Sequence, residues 1–79
     1  MFTKDNKYIQ SKINTKQFEL SERILDIRYE LGLNLHEMAE LSNLKPEEYI
    51  DFEYGNTNIS IEDYLKVIEI LERSVKDEI

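Results

Sequence analysis

Residues Leu33–Gly55 read LNLHEMAELSNLKPEEYIDFEYG, and the punctuation of this stretch decides the fold. Asn34 offers a side-chain oxygen to the first turn of a helix, and Glu37 stands three residues on. That is a capping box, in which each side chain satisfies a backbone N–H that the helix leaves unpaired. The helix so opened runs through about Ser42, with Met38, Ala39 and Leu41 on its inward face. Ser42–Lys45 is a turn, and Asn43 is a residue type that tolerates the left-handed backbone a turn asks for. Pro46 suits the first position of the next helix, where its missing N–H has no partner to lose. Glu47 and Glu48 then fall in the first turn, where the helix dipole favours a negative charge by about 0.3–1 kcal/mol. Tyr49, Ile50 and Phe52 supply apolar contacts, and Gly55 ends the helix.

Working outward, the apolar residues keep helical spacing. Phe18, Ile24, Ile27 and Leu31 mark one face of a helix that Gly32 closes. Asn56, Thr57 and Asn58 form a loop, and Ser60 with Asp63 opens a fourth helix whose stripe is Tyr64, Leu65, Ile68 and Leu71. From Arg73 the chain is charged and is expected to fray. The prediction is an all-α fold, a compact four- to five-helix bundle. Its parts are a basic arm over residues 1–17, a helical domain over 18–73 and a charged tail over 74–79. Tyr8, Ile9 and Ile13 leave three forms open for the arm: a short helix, an extended segment or a strand given to a partner.

Composition narrows the function classes. The 79 residues carry a formal net charge of −7, unevenly placed. Residues 1–18 hold Lys4, Lys7, Lys12 and Lys16 against Asp5, a balance of +3; residues 19–79 carry −10. An acidic body is repelled by a polyanion at long range. There is no cysteine, hence no disulfide and no thiolate metal site, which fits a reducing cytoplasm. No signal peptide and no membrane-spanning segment is visible, so the expected location is cytoplasmic with no membrane partner. His36 is the sole histidine, and no nucleophile–base pair or metal-binding spacing stands out. No enzyme activity, no cofactor and no metal are expected.

From Glu22 to Leu71 the chain resembles the Cro/C1-type (XRE) helix-turn-helix family. Ile24, Ile27 and Arg28 match the family's opening pattern, and Met38-Ala39 its Leu-Ala pair. Tyr49, Phe52, Glu53 and Gly55 match the end of its recognition helix, and Ser60-Ile61 with Leu65 and Leu71 its next helix. The resemblance implies a bundle of the lambda-repressor-like helix-turn-helix type. It also implies a partly buried ion pair between Arg28 and Glu53, with Asn43 and Gly55 at the turns. Its DNA-facing positions fall on Leu35, Lys45, Pro46, Glu47, Glu48, Asp51, Asn56 and Asn58. The implied function is a small transcriptional regulator, phage-repressor-like or antitoxin-like, whose partner is duplex DNA.

The residue types at those positions pull the other way. Base edges are read chiefly by Arg, Lys, Gln and Asn, and Lys45 is the sole cation on this face. Each carboxylate set near a phosphate opposes binding by roughly 1 kcal/mol. Duplex binding therefore calls for a homodimer that doubles the contacts, for the lysine arm, or for helix N-termini on phosphates. The alternative is a helix-turn-helix module that binds no DNA. Such a module presents Glu40, Glu47, Glu48 and Asp51, with Tyr54 nearby, to a protein partner, as an anti-repressor, antitoxin or DNA-mimic inhibitor. Leu25, Tyr29, Leu35 and Tyr54, apolar where the motif needs none, fit a dimer or partner surface.

Overall fold

The structure, a computed structural model, describes residues 15–78. Residues 1–14, most of the expected basic arm, lie outside the described residues. Four helices follow in order: α1 (Lys16–Leu31), α2 (Leu35–Leu41), α3 (Pro46–Glu53) and α4 (Ile61–Glu78). The fold is all-helical among the described residues.

The helix ends are set by local chemistry. Thr15 caps α1 by accepting from the Phe18 N–H, so Lys16 and Gln17 belong to the helix and not to the arm. Gly32, at φ 66°, ends α1. Asn34 and Glu37 form the reciprocal capping box of α2, with bonds of 2.8 and 2.9 Å. Asn43 takes the left-handed backbone at φ 59°, which lets Leu44 N–H reach back to Ala39 O and close the helix. Pro46 is the first residue of α3, and Glu48 reaches back to the Lys45 N–H at 3.0 Å. Gly55 follows α3 at φ 73°, and Ser60 caps α4 through the Asp63 N–H.

The core lies where α1, α3 and α4 converge, with α2 closing one side. Leu20, Ile24 and Ile27 from α1 meet Met38 and Ala39, Tyr49 and Phe52, and Tyr64, Val67, Ile68 and Leu71. Phe52 and Tyr64 pack edge to face with ring centroids 5.0 Å apart. The Tyr64 hydroxyl donates to the Phe52 carbonyl at 2.9 Å, which pins the end of α3 to the start of α4. Gln17 Nε2 donates to Ile59 O, and Arg23 pairs with Glu72 further along, so α1 and α4 run in the same general sense.

Three expectations need correction. Leu41 is exposed, because Met38, Ala39 and Ser42 already fill the inward face of α2. Leu65 is also exposed and Val67 takes its place inside; the buried set 64, 67, 68 and 71 follows a truer helical stripe than the one that includes 65. Nor does the chain leave the helix at Arg73. The helix α4 continues to Glu78, and partly buried Val75 packs on the core.

Candidate functional site

The α2–turn–α3 unit carries most of the residues singled out by sequence. Arg28 and Glu53 hold it against α1. Arg28 Nη1 donates to both Glu53 carboxylate oxygens at 2.9 Å, and Arg28 Nε donates to Leu33 O at 3.1 Å. One guanidinium thus ties the middle of the bundle to the α1–α2 turn and to the last residue of α3. The carboxylate is the more deeply placed partner: its side chain is 8% exposed, against 30% for Arg28. The sequence gives no sign of the bond to Leu33 O, since a backbone acceptor leaves no residue signature.

Tyr49 lies fully buried beside this pair, and its hydroxyl makes no hydrogen bond among the described residues. Burial pushes its phenol well above the usual tyrosine range, and the Glu53 carboxylate pushes further. Tyr64, also fully buried, is pushed up to about 12, chiefly by burial. Both hydroxyls are neutral at any physiological pH.

The outward face of α3 is made of acids. Glu47, Glu48 and Asp51 are exposed, with Tyr54 exposed just beyond the helix. Glu37, Glu40 and His36 are exposed on α2, and Lys45 is the exposed cation of the turn. Two Glu side chains of this surface are engaged locally, Glu37 and Glu48, each on the backbone N–H that precedes its helix. The side chains of Glu47, Asp51 and Glu40 make no hydrogen bond or ion pair among the described residues, so their carboxylates face solvent.

Leu35 opens α2. It is partly buried against the core and contributes little to a facing surface. Pro46 is half-buried. Asn56 is half-buried too, and its side-chain oxygen accepts from the Asn58 N–H at 2.8 Å, a local turn that leaves Asn58 exposed at the loop tip. Tyr29, on α1, is 82% exposed. Among the described residues no group of three or more His, Asp or Glu side chains is placed to hold a metal ion. No described helix is long and apolar enough to cross a membrane. No known protein family, no curated protein and no solved structure matches this chain.

Proposed function

We propose that the chain is a small regulatory protein of the Cro/C1 helix-turn-helix type, a transcriptional regulator that binds duplex DNA through α2 and α3. The observation that supports this reading is the α2–turn–α3 unit itself: two short helices joined by a four-residue turn and tied to α1 by Arg28 and Glu53. Its contacts are ones that need few cations. They are the first-turn N–H groups of Leu35, His36 and Glu47, Lys45, Asn58, and the lysines of residues 1–17. Fluorescence anisotropy with random and operator-rich duplexes across a salt series tests it. Binding at about 50 mM salt that weakens steeply as salt rises is the expected result. No binding at that salt, where the electrostatic attraction is strongest, removes the DNA reading.

A second reading is favoured by the exposed carboxylates of Glu40, Glu47 and Asp51. In it the same face binds a protein, one with a basic surface of the kind that binds nucleic acid. Capture of a partner from the source cell that is lost when Glu47, Glu48 and Asp51 are changed to Ala supports it. Retention of the same partner by that triple variant sinks it.

A further inference from the structure

A groove of about 460 Å³ lies where the end of α1 meets α2 and the end of α4, away from the α3 face. Its floor is apolar, formed by Leu31, Leu33 and Leu41. Its rim is acidic, with Glu37 and Glu40 on α2 and Asp77 beside Ser74 on α4, and among the described residues no cation lines it. An exposed Leu41 beside the partly buried Leu31 and Leu33, within a ring of carboxylates, suits a segment that mixes apolar and basic side chains. The chain has one such segment outside the described residues. Residues 1–14 set Phe2, Tyr8 and Ile9 among Lys4, Lys7 and Lys12, with Asp5 as the single acid.

The length fits. Residue 15 stands at the opposite end of α1 from the groove, and the 16 residues of α1 span roughly 24 Å. Fourteen extended residues reach about 46 Å. The segment can therefore return alongside α1 and still lay about six residues in the groove, those from Phe2 to Lys7.

We propose that residues 2–7 of the chain's own N-terminal segment occupy this groove, with Phe2 on the leucine floor and Lys4 and Lys7 against Glu40 and Asp77. While docked, the segment withholds Lys4 and Lys7 from a polyanion, so duplex binding that uses those two lysines requires its release, and a basic peptide from another protein competes with it for the groove. The proposal holds under either reading of the α3 face.

The chain has no cysteine, so Asn6→Cys gives a unique site for a nitroxide spin label on the full-length protein. Amide signals of Leu33, Leu41 and Asp77 are expected to lose roughly half their intensity or more, while those of Asn58 and Glu62, near the root of the segment, change less. The variant Glu40→Lys/Asp77→Lys abolishes the effect, and adding Lys4→Glu/Lys7→Glu restores it. Both rim side chains are exposed and make no hydrogen bond among the described residues, so the helices stay intact, which the amide spectrum checks. An effect centred on Asn58 and Glu62, or one indifferent to the charge reversal, overturns the proposal. So does an effect on labelled-nitrogen chains that comes from spin-labelled neighbours in a mixed sample, because a second copy then fills the groove.

Discussion

At the scale of single residues the Arg28–Glu53 pair and the two buried tyrosines make opposite demands. Glu53 is nearly enclosed, whereas Arg28 keeps some contact with water and a second acceptor in Leu33 O. Removing Arg28 strands a buried carboxylate; removing Glu53 leaves a guanidinium that rehydrates in part. Arg28→Ala is therefore expected to cost roughly 3–5 kcal/mol and Glu53→Ala about 2–3 kcal/mol. Urea midpoints of the two variants check the order, and equal midpoints would refute the asymmetry. The tyrosines diverge in the same way. Tyr64→Phe loses a hydroxyl that satisfies the Phe52 carbonyl and should cost about 1–2 kcal/mol. Tyr49→Phe removes a buried hydroxyl that makes no well-formed hydrogen bond but interacts with the Glu53 carboxylate, itself already held by Arg28, and should change stability by less than about 1 kcal/mol. Both folded-state phenols titrate above their unfolded value of 10.0. Their contribution is thus complete below pH 10 and is lost as pH climbs through the folded value. For Tyr64, at about 12, the loss approaches about 3 kcal/mol. Urea midpoints at pH 9 and pH 11.5 should separate in the native chain and draw together in the Tyr49→Phe/Tyr64→Phe variant.

At the scale of elements, the two glycines that end helices are not equivalent. Both have left-handed backbone, but a side chain at Gly32 meets open space, while a Cβ at Gly55 comes within 3.0 Å of the Phe18 Cα. Gly32→Ala should cost about 1 kcal/mol for the backbone alone. Gly55→Ala adds a clash with the backbone of α1 and should cost roughly 2–4 kcal/mol. Thermal unfolding of the two variants measures the difference. The close approach at Gly55 explains why α3 can end directly against α1, and it is invisible in sequence, which marks both glycines only as helix stops. Helix ends were the legible part of this chain. Asn34 with Glu37, Asn43, Pro46, and Ser60 with Asp63 each act through neighbours a few residues away, and each stands where the local pattern puts it. Which side of α4 turns inward was less legible. Leu65 and Val67 are both apolar, and the packing of α4 on α1, a tertiary matter, buries the smaller one. The length of α4 escaped for a related reason. Its last turns carry charges that read as a frayed end, yet Val75 finds the core.

At the scale of the whole molecule, function turns on charge more than on shape. Between Leu35 and Tyr54 stand five exposed carboxylates, Glu37, Glu40, Glu47, Glu48 and Asp51, and a single lysine, so the surface presented by α2 and α3 repels phosphates even if its geometry fits a groove. The candidate site was legible in sequence as a set of positions, but its exposure was not: Leu35 and Pro46 are partly covered and Glu48 is engaged at the start of α3, which leaves Glu47 and Asp51 as the free acids of that helix. Shape and charge can be separated by reversing only those two. Glu47→Lys/Asp51→Lys spares the Glu48 contact to the Lys45 N–H and both members of the Arg28–Glu53 pair, so the bundle should stay folded and lose only about 1 kcal/mol through the reversed charge in the first turn of α3. If α3 is presented as a recognition helix, the variant should bind random duplex DNA at about 50 mM salt at least roughly tenfold more tightly than the native chain. The gain should fade with added salt, with a slope of about −0.9 for each phosphate newly contacted. A variant that folds normally and gains no affinity would mean that α3 does not reach the duplex, and the helix-turn-helix reading would then survive only as an arrangement for meeting a protein.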